Sequence, residues 1–296
     1  LANEMFLDSS QLRSSVVSHA KTLGYSTRSA RAAKAVINVY LNTTNTSATM
    51  PAGTVFTASV GSTDYQFVTI QDVVATNIGS VIPFNNLNVY EGSFVSTRYT
   101  TDTQNVEQRF LINDSRVDTT TLTVRVQNSS TDSITTTYTL ATDIAAITSN
   151  SKVYFLQEVE DGKFEIYFGD GILGSAVEDE NIIILNYIVT NKGVANGAST
   201  LTNSAAINGI NSVNVTTVSP PVGGSEPETI QSIKYNAPLD YASQGRCVTA
   251  DDYKTYVNQL FPNTQAVSVW GGENGSYNSV TGVSDIAEYG KVFISV

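Results

Sequence analysis

The hydrophobic positions of this chain keep a helical period near both ends and a period of two between them. Leu12, Val16, Ala20 and Leu23 recur three or four residues apart and stop at Gly24, and Ala30, Ala33, Ile37 and Tyr40 repeat the pattern after Ser26 or Thr27. Side chains so spaced share one face of a helix, so the spacing predicts a helical hairpin within residues 1–42. The period then shortens to two: Phe56, Ala58 and Val60, then Tyr65, Phe67 and Thr69, then Leu122, Val124 and Val126. Threonine fills the opposite face, which suits a solvated strand surface, and residues 43–150 read as an inserted antiparallel β-sandwich.

Residues 151–218 read as a central β domain that continues the hairpin segment. Val153-Tyr-Phe-Leu156, the Asp161-Gly162 turn and the alternating Phe164, Ile166 and Phe168 are a β-hairpin signal. The apolar run Ile182–Val189 is far shorter than the roughly 20 residues of a membrane-spanning helix, and it reads as a buried strand. Ser219-Pro-Pro-Val-Gly-Gly224 reads as a linker, a stiff elbow before residues 225–296. There Ser225 with Glu228, and Thr249 with Asp252, each place a helix-capping acceptor three residues before a carboxylate. Ile230, Ile233 and Ala237 form a helical stripe ended by Pro238, and Tyr253, Tyr256, Val257 and Leu260 form another ended by Pro262. With strands over Gln265–Trp270 and Lys291–Val296, this is a C-terminal α+β unit. The fold class is therefore α+β, β-rich and multidomain.

The stretch Gly223–Tyr253, with Ala237-Pro238 and Arg246-Cys-Val-Thr-Ala-Asp-Asp-Tyr253 in it, resembles the C-terminal region of the baseplate J-like family of contractile phage tails and related injection machines. Ala2-Asn-Glu4, Asp8, Lys21–Tyr25, Pro51–Thr54 and Asn113–Val124 follow in family-like order, and Phe164-Glu-Ile-Tyr-Phe-Gly169-Asp170-Gly171-Ile-Leu-Gly174 is similar to the strand and tight turn typical of these proteins. Within the family the chain looks like a C-terminal part of the wedge subunits of T-even phages. The chain opens without Met and closes inside Val292–Val296, so a piece of a longer protein is expected. The resemblance implies a non-enzymatic structural subunit of the virion's tail baseplate, assembled in the host cytoplasm. It also implies partners: copies of itself as a homodimer, other wedge proteins, and a ring around the hub that relays receptor engagement to sheath contraction, with reorientation at Ser219–Gly224.

Composition agrees with a scaffold. Of 296 residues, 41% are hydrophobic, enough for a sizeable core. Only 15% are charged and the net charge is −11, so clustered cations for nucleic-acid binding are not expected. No membrane partner is expected either. Cys247 is the single cysteine, which excludes an internal disulfide framework and fits a small buried thiol in a reducing compartment.

Candidate chemistry is thin. Gly169-Asp170-Gly171-Ile-Leu-Gly174 fits the dinucleotide fingerprint formally, but the residues after it lead into a β-branched run and not a helix, so glycine's positive φ in a strand turn is the expected role and no cofactor is expected. His19 is the only histidine and lies far in sequence from Cys247, so neither a catalytic triad nor a zinc site is expected. The acidic clusters Glu158–Asp161 and Glu178–Glu180 lack the order of a calcium loop and read as solvated turns. Tyr65, Phe67, Tyr154, Phe155, Phe164 and Phe168 are expected mostly in the core, although a contiguous patch would mark a binding face. The alternative to a scaffold is a carbohydrate-binding adhesion module of a virion or cell surface, built on the Thr-rich strands.

Overall fold

A computed structural model describes all residues except 1, 106, 107, 143, 204, 245, 262, 263, 265, 273–276, 279–282, 285, 286 and 288. The chain divides into two compact units, Arg28–Glu228 and the paired ends Leu1–Thr27 with Thr229–Val296. The larger unit begins with β1 (Lys34–Asn42), β2 (Ser47–Met50), β3 (Val55–Val60), β4 (Thr63–Val68), β5 (Val73–Thr76) and β6 (Val81–Glu91). It continues through β7 (Ser93–Thr100), β8 (Phe110–Ile112), β9 (Val117–Gln127), β10 (Thr135–Leu140), β11 (Val153–Glu158), β12 (Phe164–Phe168), β13 (Ile182–Val189) and β14 (Val213–Val222). The smaller unit holds α1 (Arg13–Thr22), α2 (Ile230–Ser243), α3 (Ala250–Leu260), β15 (Ser268–Gly271), β16 (Tyr277–Asn278), β17 (Val283–Ser284) and β18 (Val292–Ser295).

The larger unit contains a five-stranded sheet in the order β14-β1-β6-β4-β3 and a seven-stranded sheet in the order β7-β13-β9-β10-β11-β12-β8. Residues 43–150, expected as one sandwich, are shared between them. Chain-local alternation fixes which residues are strands but not which strands pair, so the sharing is invisible in the strand pattern alone. Residues 34–42, expected as the second helix of a hairpin, are strand β1. Ala35, Ile37, Val39 and Leu41 are buried and the residues between them are not, a period of two that the β-branched Val36, Ile37 and Val39 favour.

The inner face of the five-stranded sheet packs Ile37, Leu41, Phe56, Phe67 and Ile82 against Ala48 and Met50 of β2 and against Ala195, Ala198, Leu201, Ile207 and Ile210, which belong to no long regular element. The seven-stranded sheet closes on itself. Its edge strands meet where the Tyr99 ring of β7 lies 5.6 Å from the Phe110 ring of β8 and the Tyr99 hydroxyl donates to the Leu111 carbonyl. Inside the curl Phe110, Tyr138 and Phe168 meet edge to face around Ile166, Ile183 and Leu185. β13 is buried along most of its length, as its apolar run predicted.

The expected linker is also a strand. Ser219-Pro-Pro-Val222 ends β14, pairing Ser219 with Val36 and Val222 with Lys34, with a register shift on either side of Val36. β14 is an edge strand, where proline's missing N–H is harmless. Gly224 is then clamped by the Asn196 side chain, which donates Nδ2–H to its carbonyl at 2.8 Å and accepts its N–H at 2.9 Å. A Cβ there would lie 2.4 Å from the Lys192 carbonyl oxygen.

In the smaller unit α1 packs against α2, burying Val16, Val17, Ala20, Ile233 and Ala237. The helix partner of α1 therefore comes from the far end of the sequence. α2 does not stop at Pro238 but runs on to Ser243, closed by Gln244 in the left-handed conformation with its N–H on Asp240 O at 3.2 Å. Proline removes one helical hydrogen bond but fixes a helical φ, and the buried Ile233 and Ala237 hold the turn before it. The two expected strands are β15 and β18, and they pair antiparallel. Gln265, Pro262 and most of the loop expected between those strands lie outside the described residues.

Candidate functional site

The most concentrated buried chemistry of the larger unit lies where its two sheets join. β6 and β7 are one run of chain interrupted only by Gly92, at φ 121°, where a Cβ would come within 2.3 Å of the Val189 carbonyl oxygen. Only glycine permits the strand to leave one sheet and enter the other there. Next to it Glu91 is fully buried and accepts three hydrogen bonds: from Thr190 Oγ1 at 2.6 Å, Asn191 N at 3.0 Å and Asn191 Nδ2 at 2.8 Å. Asp118 of β9, also buried, accepts from Ala32 N at 2.9 Å, Thr120 N at 2.9 Å and Thr120 Oγ1 at 2.6 Å. Ser29 Oγ accepts the Thr119 N–H at 3.0 Å and lies 2.8 Å from the Thr119 hydroxyl. Between these polar clamps Ala32, Val68 and Ile188 form a small apolar core with Tyr90 and Phe94.

A buried carboxylate must have its lone pairs satisfied, and here both are satisfied across the seam. Burial pushes the Asp118 carboxyl above the ordinary range against its hydrogen bonds and the nearby Arg31 guanidinium. The same burial lowers Arg31. Beside the junction opens a groove of about 650 Å³ lined by Tyr65, Arg116, Asn191, Lys192 and Glu226. Its cations are already paired, Arg116 with Asp114 at 3.0 Å and Lys192 with Glu226.

The residues singled out from sequence are placed apart. Thr249 and Asp252 form the expected capping box: Thr249 Oγ1 accepts the Asp252 N–H at 3.2 Å, and Asp252 Oδ2 accepts the Thr249 N–H at 2.7 Å, which holds the Asp252 carboxyl below its usual range. Arg246 is exposed and donates its N–H to Ser243 O. Ser225 and Glu228 do not cap α2, whose N-cap is Thr229. Ser225 instead bridges Arg31, and the buried Glu228 carboxylate pairs with Arg28 at 3.2 Å, clasping the first and last residues of the larger unit. The capping pattern, an acceptor three residues before a carboxylate, is equally met by residues that belong to a β-bridge, so spacing alone misplaced it.

Asp170 Oδ1 accepts the N–H groups of Ile172 and Leu173, each at 2.9 Å, and Gly171 and Gly174 both take φ +87°. The chain then proceeds to β13, so Gly169-Asp170-Gly171 is a turn device between strands. His19 Nε2 lies 2.8 Å from Glu4 O, within the helical unit. Cys247 is exposed, not buried, and its thiol is pushed above the ordinary value by desolvation and then by Asp252, the opposite of activation. Among the described residues no three His, Cys, Asp or Glu side chains group as a metal site, and no helix is long and apolar enough to cross a membrane. Glu91, Gly92 and Asp118 were not singled out from sequence. Their signal is faint: a carboxylate and a glycine between two alternating strands, and a lone Asp in a Thr run.

Comparison with known proteins decides what kind of scaffold this is. The profile of bacteriophage baseplate wedge protein gp6, third domain, matches residues 96–201, and that of baseplate structural protein gp6, C-terminal domain I, matches residues 249–296. The chain is 30% identical over 293 residues to baseplate wedge protein gp6 of Enterobacteria phage T4. The chain belongs to the gp6 baseplate wedge family. It is accordingly a structural component of a phage tail baseplate. The match covers 87% of this chain and 42% of the T4 protein. The gp6 third-domain match falls on the self-closing sheet, and the gp6 C-terminal match begins at the α3 cap. The cryo-EM structure of the anti-feeding prophage baseplate aligns with 85% of this chain and 47% of its own, at 12% identity and a TM-score of 0.31.

Proposed function

We propose that this chain is a non-enzymatic part of the baseplate wedge that pairs with copies of itself and with other wedge proteins, contributes to a ring around the hub, and relays receptor engagement to the sheath. The observation that carries the reading is the junction at Glu91, Gly92 and Asp118. A subunit that passes on a displacement must not absorb it, and two sheets tied by a one-residue crossing and satisfied buried carboxylates form a stiff body. The expected elbow at Ser219–Gly224 is no part of this proposal, because its residues belong to β14 and the Asn196 clamp. The T4 relative, named a baseplate wedge protein, supports the choice of assembly.

Light scattering across a concentration series tests it. The proposal expects mass to rise above that of one chain with concentration, and density for residues 28–228 to be found in an assembled tail particle by electron microscopy. A chain that stays monomeric at millimolar concentration and fits nowhere in the particle contradicts it.

A further inference from the structure

The outer face of the self-closing sheet carries two arginines, Arg98 and Arg125, that have no ion pair among the described residues. Along β13, Ile183, Leu185 and Tyr187 enter the aromatic core, so Ile184 and Asn186 face outward. Arg98 of β7 and Arg125 of β9 stand directly opposite Ile184, one on each side, and Ser96 and Thr123 stand opposite Asn186. Neighbouring strands are about 4.8 Å apart, which puts the two arginine Cα atoms about 10 Å apart, a gap that two long side chains can close on one carboxylate. Among the described residues neither guanidinium has an ion pair. Arg125 Nε and Asn186 Oδ1 are both buried without a hydrogen-bond partner, and Asn186 is only 7% exposed.

Buried polar atoms are almost always paired, and an unpaired one disfavours the folded state. Here a donor and an acceptor go unpaired on one face, beside two uncompensated cations, in a chain of net charge −11. We propose that this face docks an acidic polypeptide segment of another protein. A carboxylate of that segment sits between Arg98 and Arg125, and one of its N–H groups supplies the donor that Asn186 Oδ1 lacks. Nucleic acid fits less well: the net charge repels it, and its phosphodiester oxygens can only accept. The inference deepens the structural-subunit reading and rests on it for the partner being a protein.

The test is fluorescence anisotropy with a labelled ten-residue peptide of alternating Glu and Ser. We expect saturable, salt-sensitive binding that weakens about tenfold or more in R98A/R125A, as loss of charge-assisted hydrogen bonds would give. R98K/R125K should restore it only in part, since lysine cannot fork onto a carboxylate. N186L should weaken binding while raising the urea midpoint of the chain, because it removes an unpaired polar atom. Unchanged peptide affinity in R98A/R125A, equal competition by a ten-residue oligothymidylate, or a lowered midpoint in N186L would overturn the proposal. So would loss of self-association in R98A/R125A with no effect on the peptide, which would make the face a contact between copies. Light scattering of the same samples separates the two readings: a chain that self-assembles yet ignores the peptide refutes the docking face alone.

Discussion

The five-stranded sheet buries Ile37, Val39 and Leu41 on one face and takes the other half of its core from residues 195–210, whereas the seven-stranded sheet curls until Tyr99 and Phe110 of its own edge strands touch. The first needs a lid supplied from elsewhere in the chain; the second is its own lid. A sheet that closes on itself protects its edges, while an open sheet must have its apolar face covered by another layer. The two are joined at the seam, where the chain crosses at Gly92 and the carboxylates of Glu91 and Asp118 bind across it. The lesson is that two unlike sheets can be joined through a few buried polar contacts.

The comparison breaks most severely at Gly92. G92A puts a Cβ 2.3 Å from the Val189 carbonyl oxygen at a φ of 121°, and we expect a loss of more than about 4 kcal/mol in urea unfolding, with both sheets affected. E91A comes next. It leaves the buried Thr190 hydroxyl without its acceptor and takes the Asn191 donors off the seam, and a loss of about 3 kcal/mol is expected, with hydrogen exchange rising on both sides of the seam. L201A empties part of the lid, and a cost of about 2–4 kcal/mol should appear as faster exchange in β1 and β6 while β9 and β13 keep their protection. Equal loosening of both sheets would show that the lid serves the whole unit.

The smallest effect is a pH effect that centres on Tyr154 of the self-closing sheet. Burial pushes the Tyr154 phenol up to about 12, above its value of about 10 in the unfolded chain. Between those values the unfolded state loses the proton and the folded state keeps it, so stability present below pH 10 falls as pH rises, by about 2–3 kcal/mol in all. Y154F should leave stability at pH 7 nearly unchanged and flatten this limb. The slope that remains should come from Tyr90 and Tyr99, whose phenols burial also raises.

What could be read from the sequence was local. The Asp161-Gly162 turn, with φ values of 59° and 70°, joins β11 and β12 as its residues predicted, because a two-residue preference for positive φ needs no distant partner. The Thr249 cap and the strand at Ile182 were legible for the same reason. β1 was misread because Ala33, Ile37 and Tyr40 match a helical template by coincidence, while Ala35, Ile37, Val39 and Leu41 match period two without a break. Pro220-Pro221 reads as a breaker until it is known that β14 lies on a sheet edge, which is a tertiary fact. The seam was illegible because Glu91 meets Asn191 and Asp118 meets Ala32, partners 100 and 86 residues apart in the chain.

Double electron–electron resonance tests the stiffness of the seam most directly. Spin labels at N88C in the five-stranded sheet and T137C in the seven-stranded sheet sit on exposed positions, and C247S removes the exposed native thiol. The account expects one narrow distance in the otherwise unaltered chain, broadened by E91A. A broad or two-peaked distribution before any change at Glu91 would contradict it.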